Sequence, residues 1–309
     1  MLKYLLLVSG FFLLIKGADL FVDGSSAAAK MLKVSPLVIG MTIVAMGTSL
    51  PETSVSVSAA IAGKNELAIS NVVGSNIFNL MVVCGMCALL CPLKIDGLSL
   101  KRDFPFSIGI AGLLMLLGRP DKTVGHIDGV ILLVVFIGFL VIMIGTARKQ
   151  DAAADDEFKT MPVWKLVLFI IIGMAAIAAG GKMVVSGASD IARRFGMSDN
   201  LIGMTVVALG TSLPELVTSM VAAKKNEVDM ALGNVIGSNI FNILFVLGVA
   251  AAIHPVEFTM LNFIDTAVLI LMSGLVLLLC FRSKKLVRWQ GAVMLVLYAG
   301  YTAYIINRG

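Results

Sequence analysis

Twelve residues near the start of the chain, MTIVAMGTSLPE ending at Glu52, return 163 positions later as MTVVALGTSLPE ending at Glu215. At the same offset and without a gap, NVVGSNIFN over residues 71–79 returns as NVIGSNIFN over 234–242. Weaker matches pair Gly17 with Gly180, Gly24 with Gly187 and Gly40 with Gly203. The chain is therefore an internal duplication, and any fold it adopts has to be built twice.

The duplicated unit is not a soluble one. Of the 309 residues, 59% are hydrophobic and 14% charged, with a mean hydropathy of +0.99, whereas soluble domains carry about a quarter charged residues. Ten apolar runs follow one another, at 3–22, 35–62, 66–91, 104–119, 127–147, 163–185, 199–223, 229–253, 262–281 and 287–306. Crossing a bilayer takes roughly 20 residues of helix, and helix lets each run satisfy its own backbone in lipid. The expected fold class is thus an all-α polytopic membrane protein with ten transmembrane helices. Each copy holds five spans, an odd number, so the second copy enters the membrane from the opposite face. The expected domains are two inverted five-helix repeats, 1–147 and 163–309, joined by a linker at 148–162 whose core reads RKQDAAADDEFKT. The first run carries Lys16, Asp19 and Asp23 at its far end and lacks a small-residue cleavage pattern, which marks a retained helix.

Charge gives orientation. With ten spans, fourteen Lys and Arg fall on the linker's side and seven on the other, so the positive-inside rule places the linker in the cytoplasm and both termini outside. These residues are spread over loops, which argues for lipid and against nucleic acid as a partner. Cys84, Cys87 and Cys91 share a helical face, but no His or carboxylate lies close in sequence to complete a metal site, so they read as small buried apolar residues. His126 and His254 sit at span ends, where solvation is expected.

In each copy GTSLPE falls in the middle of an apolar span, where insertion scales charge about 2.5–3.5 kcal/mol for an acidic residue. Pro51 removes a backbone donor and should free the carbonyl of Gly47 and disturb that of Thr48, breaking the helix beside Glu52; Gly210, Thr211 and Pro214 repeat this beside Glu215. Ser49 and Ser56 lie on or near the face of Glu52, as Ser212 and Ser219 do for Glu215. Asn71, Ser75 and Asn79 form one stripe spaced by four; Asn234, Ser238 and Asn242 form another. Asn71, Asn234, Gly74 and Gly237 are read as interhelical contacts. Two carboxylates are neutralised by one divalent cation, by two monovalent cations or by protons, so alternating occupancy is electrostatically natural. Carboxylate, carbonyl and amide oxygens in a kinked site suit Ca2+ better than Mg2+, which keeps its waters and demands stricter geometry.

GTSLPE followed about two dozen residues later by GSNIFN, present twice, resembles the alpha repeats of the sodium/calcium exchanger family of the cation/calcium antiporter superfamily. The motif regions cover 41–83 and 204–246, and the ten-span inverted organisation extends the likeness over essentially the whole chain. The resemblance implies an antiporter that exchanges Ca2+ for Na+ by alternating access, not an enzyme, with no cofactor beyond the transported ions. It implies that Glu52 and Glu215 are central Ca2+ ligands, assisted by the carbonyls of Thr48 and Thr211. It assigns Na+ to the carbonyls of Ala45 and Ala208 and the side chains of Ser49, Ser212, Ser75 and Ser238, with Asn79 and Asn242 completing the centre. The first and sixth spans, rich in small residues, would slide past the core. Potassium-dependent relatives carry Asp at the position of Asn242, so Asn in both copies implies no K+ requirement. The short linker implies a compact prokaryotic type in the plasma (inner) membrane, and one chain carries both copies, so a monomer suffices for transport. A Ca2+/H+ antiporter of the same fold is the alternative reading, disfavoured by the serine and backbone oxygens beside the glutamates. A cation channel, disfavoured by the duplicated inverted build, and an intramembrane hydrolase, disfavoured because neither motif region contains a His, are more distant ones.

Overall fold

A computed structural model describes residues 2–63, 65–118, 123–149, 161–197, 202 and 206–308. The expected linker lies outside the described residues from 150 to 160, as do Gly203 and the first two residues of the second motif region. Helix dominates. Among the described residues, seven helices are long and apolar enough to cross a membrane. They are α1 (Lys3–Leu32), α4 (Leu67–Leu90), α6 (His126–Ala147), α7 (Val163–Arg194), α10 (Val228–Ile253), α11 (Met260–Phe281) and α12 (Arg288–Arg308). The chain is a multi-pass membrane protein.

The other three expected spans take different forms. Residues 35–62 are two helices, α2 (Pro36–Thr48) and α3 (Leu50–Ile61), parted at Ser49. The run at 104–119 is α5 (Phe104–Gly118), which continues without a break from a π-type turn over Ser99–Asp103. In the run at 199–223 the described helices are α8 (Ala208–Thr211) and α9 (Leu213–Lys224), parted at Ser212. The all-α expectation also needs one correction. Among the described residues four two-residue strands, β1 (Leu93–Lys94), β2 (Thr123–Val124), β3 (Val256–Glu257) and β4 (Lys285–Leu286), pair antiparallel as β1 with β4 and β2 with β3. Extended connections running side by side satisfy one another's backbone groups, which short apolar stretches do not advertise in sequence. The ribbons repeat one another, since β1 and β3 follow the GSNIFN helix of their own copy while β4 and β2 precede the last helix of the other.

Two compact units partition the chain, and each takes pieces from both copies. The first unit comprises 1–51 and 142–234. Within it, α1 and α7 run antiparallel with their backbones almost touching. A Cβ built on Gly17 would lie 2.9 Å from the Gly173 carbonyl oxygen, and one on Gly180 would lie 2.7 Å from that of Gly10. Only glycine permits such an approach, and small residues at helix interfaces are how apolar helices pack in lipid. Also in this unit, the Lys225 ammonium just beyond α9 holds both Asp19 and Asp23 of α1, 2.7 Å from the Asp23 carboxylate. Ser26 of α1 donates to the Glu227 carboxylate beside it.

The second unit comprises 52–141 and 235–309. Here α4 crosses α12 where a Cβ on Gly291 would meet the Gly85 carbonyl oxygen at 2.5 Å, and α6 crosses α10 where one on Gly129 would meet that of Gly248 at 2.7 Å. Phe136, Phe241 and Phe245 fill the space beside the second crossing, with the Phe241 and Phe245 ring centroids 4.8 Å apart. Asp265 of α11 takes a bidentate pair of hydrogen bonds from the Arg308 guanidinium at the end of α12.

Candidate functional site

The break expected at GTSLPE is present in both copies and at the same place. Ser49 (φ −85°, ψ 12°) and Ser212 (φ −90°, ψ 5°) leave the helical region, and a new helix starts immediately with Leu50 or Leu213. Pro51 and Pro214 therefore sit at the second position of a helix, where the missing N–H disrupts nothing, and Glu52 and Glu215 lie in its first turn. That is the end at which the helix dipole favours an anion. Both glutamates are fully buried.

Within the first unit the structure brings the two copies' motifs into contact. The Ser49 hydroxyl of the first copy donates to Glu215 Oε1 of the second at 2.7 Å. Glu215 Oε2 has no hydrogen-bond partner among the described residues. Asn234 lies under the same turn, its Nδ2 donating to Ser219 Oγ at 2.9 Å and reaching the Glu215 carbonyl at 3.4 Å. The Thr48 hydroxyl lies 3.1 Å from Asn234 Oδ1 and 3.3 Å from the Ala45 carbonyl oxygen. That carbonyl also accepts the Ser49 N–H at 3.1 Å, and the Ala208 carbonyl faces the Thr211 hydroxyl at 3.2 Å. The carbonyls of Ala45 and Ala208 are thus engaged by protein groups. Ser212 is fully buried and Thr211 nearly so.

The second unit holds Glu52 in a matching frame. Asn71 Nδ2 donates to Ser56 Oγ at 2.9 Å and reaches the Glu52 carbonyl at 3.4 Å, the same two partners at the same two distances as in the other copy. Asn71 and Asn234 are therefore interhelical contacts with a particular job, since each ties its stripe helix to the backbone of the glutamate. Ser75, Asn79, Ser238 and Asn242 are all buried in this unit. Among the described residues, Ser238 Oγ, Asn242 Oδ1 and both polar atoms of Asn79 lack a hydrogen-bond partner. Buried polar groups are ordinarily satisfied, and a row of unsatisfied oxygens inside an apolar protein is a donor set suited to a hard cation. Sequence reasoning missed two features here. The helix widens into a π-type turn immediately at the last Asn of each GSNIFN, over Asn79–Val83 and Asn242–Leu247, and such turns are frequent at functional sites. It also passed over Asn76 and Asn239, whose amides reach across to one another's backbone: Asn76 Nδ2 donates to the Asn239 carbonyl at 3.0 Å, and Asn239 Nδ2 to the Asn76 carbonyl at 3.2 Å. The available signal was that both lie inside the repeated motif.

The histidines and two of the three cysteines are as expected. Cys84 and Cys87 are free and buried, while Cys91, at the end of the helix, is free but only half-buried; His126 and His254 are exposed at helix ends. Among the described residues no three His, Cys, Asp or Glu side chains gather as a metal cluster, so the anionic charge of the site comes from isolated carboxylates.

Comparison with known proteins adds a family. The model of the sodium/calcium exchanger protein family matches residues 2–145 and 165–307. The sodium/calcium exchanger MaX1 of Methanosarcina acetivorans is 34% identical over 97% of this chain and 97% of its own length. The inner membrane protein YrbG of Escherichia coli K12 is 35% identical over 90% of this chain and 89% of its own. A solved structure of the sodium-calcium exchanger NCX_Mj, soaked with Na+ and Sr2+, superposes with a TM-score of 0.87 at 36% identity, covering 98% of each chain.

Proposed function

The chain belongs to the sodium/calcium exchanger protein family, and from that premise we propose that it exchanges Ca2+ for Na+ across a membrane by alternating access. The observation that carries the reading is the Ser49–Glu215 hydrogen bond between the two copies of GTSLPE, each copy presenting a fully buried glutamate in the first turn of a broken helix. In the proposed exchanger Glu52 and Glu215 supply two negative charges, neutralised in turn by one Ca2+ or by two Na+. Thr48 and Thr211 contribute carbonyls to Ca2+. Ala45 and Ala208 carbonyls with the Ser49, Ser212, Ser75 and Ser238 hydroxyls serve Na+, and Asn79 and Asn242 complete the centre. Further Na+ beyond two makes the cycle electrogenic, each elementary charge being worth about 2.3 kcal/mol per 100 mV.

The same reading takes the architecture as ten spans in two inverted repeats, 1–147 and 163–309, with the linker cytoplasmic and both termini outside an inner membrane. It takes transport to be independent of K+, because an amide at Asn242 lacks the charge an additional monovalent ion needs. The names of the relatives support exchange with Na+, and the serine and backbone oxygens beside the glutamates weigh against proton exchange, which needs fewer of them.

The test is 45Ca2+ uptake into proteoliposomes loaded with Na+, with an outward Na+ gradient replaced in turn by an outward H+ or K+ gradient. Uptake driven by Na+ alone is expected. Uptake that requires H+ or K+ overturns the coupling, and uptake that survives Glu52→Gln or Glu215→Gln overturns the site.

A further inference from the structure

The pairing of the two stripe helices in the second unit includes a bond that one copy makes and the other does not. Asn76 and Asn239 occupy equivalent positions of the two copies and exchange reciprocal amide-to-carbonyl hydrogen bonds. Only one of them does more. Asn242 Nδ2 donates to Asn76 Oδ1 at 3.1 Å. The equivalent bond from Asn79 to Asn239 is not made, for Asn79 Nδ2 and Asn239 Oδ1 both lack a hydrogen-bond partner among the described residues. All four residues are buried.

A side-chain amide has two chemically opposite ends, an acceptor oxygen and a donor NH2, which exchange places by rotation about one bond. With its NH2 committed to Asn76, Asn242 turns its oxygen the other way, and that oxygen is buried without a protein partner. Ser238, four residues earlier on the same helical face, leaves its hydroxyl oxygen in the same condition. A cation accepts the oxygen and is repelled by the NH2, so the rotamer of Asn242 decides whether it is a ligand or an obstacle.

We propose that Asn76 is a positioning residue for ion binding, fixing the Asn242 amide with its oxygen toward the transported cation. The inference rests on the exchanger reading above and goes beyond it, because Asn76 touches no ion in that reading. It also explains why such a device belongs beside an Asn. A carboxylate at 242 would show an acceptor whichever way it turned and would need no orienting partner, whereas an amide does.

The experiment is a double-mutant cycle read by Ca2+ titration of purified protein and by the half-saturating Ca2+ of Na+-driven uptake. Asn76→Ala deletes the acceptor of Asn242 besides one amide-to-carbonyl bond, and Asn239→Ala deletes an amide-to-carbonyl bond alone, so a merely structural role predicts unequal losses of thermal stability with half-saturating Ca2+ unmoved in both. Positioning predicts that Asn76→Ala raises half-saturating Ca2+ about tenfold, the scale of one lost ion contact, and Asn239→Ala about twofold or less. On an Asn242→Asp background the Asn76→Ala effect shrinks to about twofold or less. Equal effects of the two alanines, or an Asn76→Ala effect unchanged on that background, overturn the proposal. Should Asn76→Ala not be recovered folded, Asn76→Ser, whose hydroxyl is too short to hold the Asn242 amide, takes its place with the same expectations. Wild-type protein that binds no Ca2+ defeats the exchanger reading itself, and so separates that failure from this one.

Discussion

Around GTSLPE the two copies are nearly interchangeable. Both break at a serine, both start a helix with Leu-Pro-Glu, and Asn71 and Asn234 grip a serine and the glutamate carbonyl at the same distances. Farther out they diverge. Lys225 and Glu227 of the second copy hold Asp19, Asp23 and Ser26 of α1, but at the same offset the first copy has Ala62 where the second has Lys225, and α7 has Lys182 where α1 has Asp19. A duplicated chain drifts wherever one copy can serve for both. Symmetry surviving at the glutamates therefore means that neither copy can lend its carboxylate to the other. The charge contact that Lys225 makes with α1 has no counterpart in the sequence at the same offset, so the two copies differ there.

The largest test of that contrast is chemical. Glu52→Gln and Glu215→Gln should each lower Na+-driven 45Ca2+ uptake about 100-fold or more; a variant that keeps a tenth of the wild-type rate would show one carboxylate to be dispensable and the copies unequal at their centre. Next comes the glycine seam. Gly17→Ala and Gly180→Ala, which place a methyl against backbone at under 3.0 Å, should each destabilise by about 1–3 kcal/mol in thermal unfolding of the detergent-solubilised protein. Gly138→Ala, with nothing near its Cβ, should be neutral or gain up to about 1 kcal/mol from helix propensity. Matching losses at 17 and 180 sharpen the symmetry; a loss at one alone breaks it.

Smaller effects probe the frame and the latch. Asn71→Ala removes a contact to Ser56, whereas Asn234→Ala also strips the Thr48 hydroxyl of an acceptor. The second should lose about 1 kcal/mol more stability than the first, the worth of one neutral bond. Lys225→Ala is expected to cost about 1 kcal/mol or less, because the pair is partly exposed and screened, and the difference from wild type should fade in about 0.5 M salt. A loss that persists in salt would make the contact a packing feature rather than an electrostatic one.

What could be read from sequence follows from where the signals lie. A glutamate beside a proline in the middle of an apolar run is visible because lipid makes both residues conspicuous, and the break at Ser49 and Ser212 follows from it. The stripes Asn71-Ser75-Asn79 and Asn234-Ser238-Asn242 are visible because a spacing of four marks a helical face. Asn76 sits one residue off its stripe, so periodicity passes over it even though it sits inside the repeated motif. The wide turns at Asn79 and Asn242 leave no trace in composition, since they add a residue to a turn without changing which residues are apolar. The strand pairs are set by what lies beside them in space, which two-residue stretches such as Leu93–Lys94 and Lys285–Leu286 do not reveal.

The glycines of α1 and α7 recur every seven residues, at 10, 17 and 24 and at 173, 180 and 187. Seven residues of helix rise about 10.5 Å, so these crossings work like the teeth of two racks in mesh. A shift of one helix along the other by less than a full tooth would drive side chains into the carbonyls that now face bare Cα atoms. The pair therefore has no small gear. A displacement of α1 would therefore carry α7 with it.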